Sequence, residues 1–203
     1  MHYCEFARSL PVGNHHRTYH DTRYGFPLDD DRDLFGRLIL EINQAGLSWD
    51  TILKKEANFQ KAFNHYDPET IAEYTENDIQ RLLLDPGIIR NRKKIEAVIR
   101  NAGKVLELQK SHGSFRQWLQ AMHPLSREEW TNLFRKTFFF TGGEIVNEFL
   151  MSTGLLPGAH LPDCPVHAAS RVAGALHFSA SGSNGLTHLM QVPEVRKQGL
   201  TEA

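Results

Sequence analysis

A chain of 203 residues with 40% hydrophobic content can bury one sizeable core, which excludes a largely disordered protein. The N-terminal residues lack the features of a signal peptide and no stretch approaches the ~20 apolar residues of a membrane span, so we expect a cytoplasmic protein without membrane contact. A formal net charge of −1 gives no global attraction for nucleic acid, so any DNA binding must rest on local charge.

Helix signals dominate the sequence and strand-like alternation is rare, which predicts an all-α fold. Capping patterns predict helices that start near residues 68, 76 and 127, and apolar periodicity predicts further helices over 32–45, 48–64, 91–110, 114–121 and 143–154. Large apolar residues become sparse beyond about His167. We therefore predict a single domain over 1–167 and a flexible tail over 168–203.

The predicted helix 32–45 carries an acid on its apolar side. At ~100° per residue, Glu41 lies beside Leu34 and Leu38 at the edge of the buried face. A carboxylate in that position is either paired with an arginine or a helix N-terminus, or it lines a cleft and binds a ligand. Both interpretations stay open at this point.

The segment after this helix presents a tryptophan. Gly46 has the position of a helix-terminating glycine, and Leu47 then leads to Trp49 at the start of the next helix. The indole of Trp49 is close in sequence to Glu41 and could stack on a base flipped out of DNA. A tryptophan buried in the core is the alternative.

A helical hairpin with a basic second arm follows at residues 79–95. The tight turn at 85–89 predicts free backbone N–H groups for a phosphate, and Gly87 predicts a close approach of the DNA backbone. Between residues 90 and 104 six basic residues and one acid give a local charge of +5. The basic residues are Arg90, Arg92, Lys93, Lys94, Arg100 and Lys104. A solvated helix face is the alternative to a DNA-binding surface.

Four residues have the chemistry of a zinc site. His160 and Cys164 form an H-x₃-C element, and Cys4 with His20 can supply the other half of a Cys₂His₂ tetrahedron. A filled tetrahedron has no open position for water, so one zinc ion would be structural and would tie the N-terminal segment to the C-terminal one. The chain has 11 histidines, which makes accidental spacings common.

These pieces together resemble the 3-methyladenine DNA glycosylase I family, from about Cys4 to Cys164. The resemblance rests on four motifs, of which the Gln-Ala-Gly-Leu-Ser-Trp run is the most specific. They are Tyr19-His20-Asp21 with Tyr24-Gly25, Leu40-Glu41 with residues 44–49, residues 85–92, and residues 160–164.

The resemblance implies a two-lobed helix-hairpin-helix glycosylase with a zinc clip formed by Cys4, His20, His160 and Cys164. It implies a monofunctional enzyme, without lyase activity, that flips 3-methyladenine out of alkylated double-stranded DNA and hydrolyses its N-glycosidic bond. We expect it to act as a monomer.

The resemblance also assigns roles to single residues. Glu41 and Tyr19 would hydrogen-bond the flipped base, Trp49 would stack on it, and Tyr24 would add aromatic surface. Contacts with DNA would come from the probing loop and the hairpin: Gly46, Leu47, Gly87, Ile88, Arg90, Arg92 and Lys93.

Four positions depart from the common family pattern. Arg23 stands where an acid is frequent, Tyr24 where tryptophan is frequent, and Ile42-Asn43 where Gly-Gln is frequent. Tyr24 keeps an aromatic surface. Ile42, next to Glu41, is expected to narrow the pocket.

Two other functions fit parts of the sequence. His20-Asp21 is an HD pair, as in metal-dependent phosphohydrolases, although the further ligands of an open metal site are missing and Cys164 suits closed zinc better. A DNA-binding zinc module without catalysis would keep the hairpin and the zinc but no base pocket.

Overall fold

Eleven α-helices and two short 3₁₀ turns make up residues 1–179, the part of the chain that this computed structural model describes. The helices are α1 (Tyr3–Ser9), α2 (His15–Thr22), α3 (Asp31–Gln44), α4 (Trp49–Ala62), α5 (Pro68–Ala72), α6 (Glu76–Leu84), α7 (Arg92–His112), α8 (Phe115–Met122), α9 (Arg127–Thr137), α10 (Gly143–Ser152) and α11 (Pro165–Val172). No strand occurs within residues 1–179, which confirms the prediction of an all-α fold. In the same range, no helix combines the length and the apolar character needed to cross a membrane.

The capping patterns in the sequence set the helix starts as predicted. Asp67 accepts a hydrogen bond from the backbone N–H of Thr70 at the start of α5. Capping boxes open α6 at Thr75 and α9 at Ser126. The five helices predicted from apolar periodicity have boundaries within two residues of those observed.

Three helices were not predicted from the sequence: α1, α2 and α11. α2 is polar along most of its length, so it has little apolar periodicity to detect. α11 crosses the predicted domain boundary at residue 167, and the Ser170 hydroxyl on it donates to the Gly25 carbonyl at 2.6 Å. The rest of the predicted tail, residues 180–203, lies outside the described residues.

α3 is the central helix. α4, α7, α8 and α10 pack around it, and its apolar side chains are almost completely buried. Three of its polar residues, Arg37, Glu41 and Asn43, are buried as well. Because a buried polar group needs a partner or a function, these residues lead to the site.

Candidate functional site

A cavity of about 370 Å³ opens where α1, α2, α3, α4 and α10 come together. Its volume lies within the range of ~300–1,000 Å³ that is common for small-molecule sites. The residues that line it are Met1, His2, Tyr3, Tyr19, Tyr24, Glu41, Gln44, Trp49, Glu148, Met151 and Gly158. The structure therefore brings together Tyr19, Tyr24, Glu41 and Trp49, which the sequence proposed for base binding.

Four aromatic rings form one side of this cavity. The ring centroids of Tyr19 and Trp49 are 5.3 Å apart, those of Tyr19 and Tyr24 are 5.7 Å apart, and Tyr3 meets Tyr24 edge-on at 5.3 Å. The indole Nε1 of Trp49 is buried and has no hydrogen-bond partner among residues 1–179. Aromatic faces attract cations, so this side of the cavity suits a positively charged ligand.

Glu41 contributes a carboxyl group without a partner. The residue is only 4% exposed, yet its side chain forms no hydrogen bond or ion pair within the described part of the chain. Burial raises the pKa of this carboxyl group to about 8; the charge of Arg37 opposes the shift and that of Glu148 adds to it. The sequence left two interpretations open. The structure supports the one in which Glu41 lines a cleft, and not the one in which it forms an ion pair.

Tyr19 is held by an arginine that the sequence analysis missed. Arg37 Nη1 donates to the Tyr19 hydroxyl at 2.9 Å and to the Ser152 carbonyl at 3.3 Å, and its guanidinium carbon lies 5.1 Å from the centroid of the Tyr19 ring. Because the hydroxyl oxygen accepts from Arg37, its own proton is free for another acceptor. The sequence did contain a signal for this arginine: Arg37 lies one helical turn before Glu41 on α3, so the two side chains project from the same face.

Tyr3 and Glu148 also line the cavity, although neither was predicted from the sequence. Tyr24 donates its hydroxyl proton to Glu148 Oε2 at 3.4 Å, which connects α10 to the aromatic side of the cavity. Glu148 lies at the edge of the apolar face of α10, next to Ile145, which is the same kind of signal that identified Glu41.

The structure gives physical reasons for the departures from the family pattern. Arg23 pairs with Glu56 of α4, with Nη1 2.8 Å from Oε2. Ile42 is completely buried in the core and Asn43 donates to the Ile39 carbonyl at 2.8 Å. Neither lines the cavity, because each projects from α3 at a different angle from Glu41. The expectation that Ile42 narrows the pocket is therefore wrong.

The loop between α3 and α4 lies next to the cavity. Gly46 has φ +81°, and a Cβ at this position would meet nothing within 4 Å, so the backbone conformation rather than crowding requires glycine. The Leu47 side chain is 39% exposed. The buried ammonium of Lys94 donates to the Asn43 carbonyl at 2.8 Å and to the Ala45 carbonyl at 2.7 Å, so α7 supports this loop.

The hairpin turn differs from the prediction. The Gly87 N–H donates to the Asp85 carboxylate at 2.7 Å and the Ile88 N–H points to the Asp85 carbonyl at 3.5 Å, so these two groups are not free. A Cβ on Gly87 would lie 3.0 Å from the Asn58 Cβ. The small size of Gly87 is therefore needed for packing on α4, and the Ile88 side chain, 3% exposed, belongs to the core.

Ion pairs already occupy several of the basic residues on α7, the second arm of the hairpin. Arg92 pairs with Glu76 at 2.6 Å and with Glu96 at 3.2 Å, and Lys104 pairs with Glu107 at 2.8 Å. Arg90 and Lys93 are exposed and have no ion pair with any residue from 1 to 179. The cations available to a ligand are therefore fewer than the local charge of +5 suggested.

Cys4, His20, His160 and Cys164 form a buried group. Their ligand atoms all lie within 4.8 Å of one another. The distances from Cys4 Sγ to His160 Nδ1 and from Cys164 Sγ to His20 Nε2 are both 3.7 Å. The sequence-predicted cluster is thus assembled from the two ends of the described chain.

Neighbouring groups orient both imidazoles of this cluster. His20 Nδ1 lies 2.7 Å from the Asp21 carboxylate and His160 Nε2 lies 2.7 Å from the Tyr24 carbonyl, so the other nitrogen of each ring faces the thiols. Burial raises the pKa of the Cys4 thiol to about 11 and lowers the pKa of His160 to about 4. Histidines that bind metals are commonly oriented by carboxylates and carbonyls in this way.

Comparisons with known proteins show which family this chain is similar to. The methyladenine glycosylase family profile matches residues 12–133. The DNA-3-methyladenine glycosylase of Haemophilus influenzae is 34% identical over 166 residues, which cover 72% of this chain and 89% of that protein. The DNA-3-methyladenine glycosylase 1 of Escherichia coli is 40% identical over 115 residues, or 57% of this chain and 60% of that protein.

The fold agrees as well. A crystal structure of a variant of 3-methyladenine DNA glycosylase I in complex with 3-methyladenine superposes with a TM-score of 0.70 at 34% identity, covering 82% of this chain and 97% of the other.

Proposed function

Because this chain belongs to the methyladenine glycosylase family, we propose that it removes 3-methyladenine from alkylated double-stranded DNA by hydrolysing the N-glycosyl bond. The observation that carries this function is the buried, unpaired Glu41 carboxyl group in a cavity walled by aromatic rings. Methylation at N3 makes adenine cationic and weakens its glycosidic bond. A pocket that binds this cation can therefore provide much of the catalysis.

The pocket residues have complementary roles toward a flipped base. Trp49 stacks on the purine, and Tyr19 and Glu41 hydrogen-bond its edge, while Tyr24 adds aromatic surface. The contact with Arg37 leaves the Tyr19 proton free to be donated to the base. No lysine is among the residues that line the cavity, so base removal is expected without Schiff-base formation and strand cleavage.

DNA would be bound next to this pocket. Leu47 is exposed on the loop supported by Lys94, and we propose that it fills the gap that the flipped base leaves in the stack. Arg90 and Lys93 supply free positive charge for phosphates, which position DNA without reading its sequence.

We further propose that the four-residue cluster binds one zinc ion. Bond lengths of ~2.0–2.3 Å in a tetrahedron place neighbouring sulfur and nitrogen ligands ~3.5 Å apart, close to the 3.7 Å separations observed. The donor set Cys4, His20, His160 and Cys164 fills all four positions and leaves none for water, so the ion would be structural. When bound, it would join α1 and α2 to the segment before α11.

The two other functions are less well supported. A phosphohydrolase would use His20 and Asp21 as ligands of an open metal site, whereas here Asp21 orients His20 within a group of four donors. A DNA-binding module without catalysis would need no cavity beside Trp49.

Release of free base from DNA methylated at known positions tests the function. We expect release of 3-methyladenine, weaker or no release of neutral lesions, and intact abasic strands after the reaction. Binding to methylated DNA without any base release would support the non-catalytic module instead. Turnover of phosphate esters that stops at once on chelation would support the phosphohydrolase.

A further inference from the structure

Glu148 is a second acid at the base pocket. It lies on α10 among the residues that line the cavity, and its carboxylate accepts a hydrogen bond from the Tyr24 hydroxyl at 3.4 Å. The residue is half-buried. The cavity therefore receives one carboxyl group from α3 and another from α10.

Neither acid has an ion-pair partner among the residues that line the pocket. Neither lysine nor arginine occurs among its lining residues, and neither Glu41 nor Glu148 forms an ion pair with the described residues. The guanidinium whose charge acts on Glu41, that of Arg37, donates to Tyr19 and to the Ser152 carbonyl, and the charge of Arg127 acts on Glu148. The pocket wall thus has two carboxyl groups and no lysine or arginine, and its basic groups are the α-amino group of Met1 and the imidazole of His2.

Two carboxylates that lie near each other repel, so it is unfavourable for Glu41 and Glu148 to be ionised at the same time. Burial raises the pKa of Glu148, while the hydrogen bond from Tyr24 lowers it, and the charge of Glu148 adds to the rise in the pKa of Glu41. A cationic base would relieve this repulsion, and a neutral base of the same shape would not. Two acids therefore favour binding of a cationic base more strongly than a single hydrogen-bonding acid would.

We propose that Glu148 is a specificity-determining residue that makes the pocket select a positively charged base over a neutral base of the same shape. The proposal rests on the proposed function for the nature of the ligand, but it concerns the charge of the base rather than its release. Glu41 reads the edge of the base, and Glu148 sets the electrostatic preference.

The test compares binding of two small probes to the full chain by calorimetry at pH 7.5. One probe is 3,9-dimethyladeninium, a permanent cation whose second methyl group stands in for the sugar. The other is the neutral isostere 3,9-dimethyl-3-deazaadenine. Glu148→Gln keeps an acceptor for Tyr24 and removes the charge. The control is Glu73→Gln, whose exposed side chain lies outside the cavity and has no ion pair within residues 1–179.

Glu148→Gln should weaken binding of the cation about tenfold and leave binding of the neutral probe within about twofold, because only the charge interaction is lost. Glu73→Gln should change neither. The proposal is overturned if Glu148→Gln weakens both probes equally, weakens neither, or slows base release while the preference for the cation is unchanged. A wild-type chain that releases no 3-methyladenine would refute the proposed function but not a measured preference for the cation.

Discussion

At the scale of single residues, Glu41 connects ligand binding to stability. Its pKa rises from the ordinary value of 4.5 to about 8 because the side chain is buried, with Arg37 opposing the shift and Glu148 adding to it. The folded chain therefore keeps a proton that the unfolded chain releases above about pH 4.5. The free energy of unfolding of the wild type therefore falls as the pH rises from about 4.5 to about 8. Above the pKa of Glu41 in the folded chain, this decrease levels off.

Glu41→Gln removes this titration and should stabilise the empty protein. The difference in unfolding free energy between variant and wild type should grow by about 1 kcal/mol per pH unit from pH 5 to pH 8. Urea unfolding at four pH values measures it, with the exposed change Glu73→Gln as the control that shows no such trend. A constant difference across this range would mean that the Glu41 carboxyl is ionised in the folded protein near its ordinary pKa.

At the scale of elements, the loop between α3 and α4 depends on one buried ammonium. Lys94→Met leaves the Asn43 and Ala45 carbonyls without their donor, so we expect a loss of about 1–3 kcal/mol in unfolding free energy. Because Leu47 lies on this loop, release of 3-methyladenine from DNA should slow, whereas binding of the free cationic probe should not change.

Lys110→Met, an exposed change in the last turn of α7, is the control for this variant and should alter neither quantity. Equal loss of base release and of probe binding in Lys94→Met would contradict a role confined to the loop.

The basic arm of the hairpin gives a second prediction at this scale. Arg90→Gln and Lys93→Gln should each reduce the slope of log binding constant against log salt by about 0.9, as expected for the loss of one phosphate contact. Arg92→Gln should change the slope less, because that guanidinium is already paired with Glu76 and Glu96. Titrations of a DNA duplex from 50 to 200 mM salt, roughly the range over which such slopes are resolved, measure it. A slope that falls only in Arg92→Gln would show that Arg92 contacts the phosphate and that Arg90 and Lys93 do not.

The sequence predicted elements better where the signal is local. Capping residues such as Thr75 and Ser126 act within one turn, so they placed the starts of α6 and α9. The N–H groups of the hairpin turn could not be predicted, because their partner is the Asp85 side chain and the crowding at Gly87 comes from Asn58 on α4. Glu148 was missed because its meaning depends on Tyr24, more than 100 residues earlier in the chain.

At the scale of the whole molecule, the cluster of Cys4, His20, His160 and Cys164 joins distant segments. Spacing offered these four residues as one choice among 11 histidines, and the family resemblance implied this set; the fold shows that they converge. A zinc ion there should stabilise the folded chain, since the unfolded chain has no preformed site.

We expect one zinc per chain by elemental analysis. Cys164→Ser should lose the metal and lower the melting temperature by roughly 5–10 °C, while turnover of the chain that remains folded stays near that of the wild type. The control is His15→Gln, which alters the half-exposed group of His15, His16 and Asp50 and should leave one zinc bound. Wild-type protein that folds without zinc and gains no stability from it would contradict the clip.

The central claim is that the unpaired acid beside the stacking indole binds the flipped cationic base. Single-turnover release of free 3-methyladenine from alkylated DNA, compared between wild type and Glu41→Gln, tests it most directly. With both proteins folded and saturating, the variant should be slower by about 10- to 100-fold, the size of a lost hydrogen bond to a charged group. Undiminished release by folded Glu41→Gln would contradict the account.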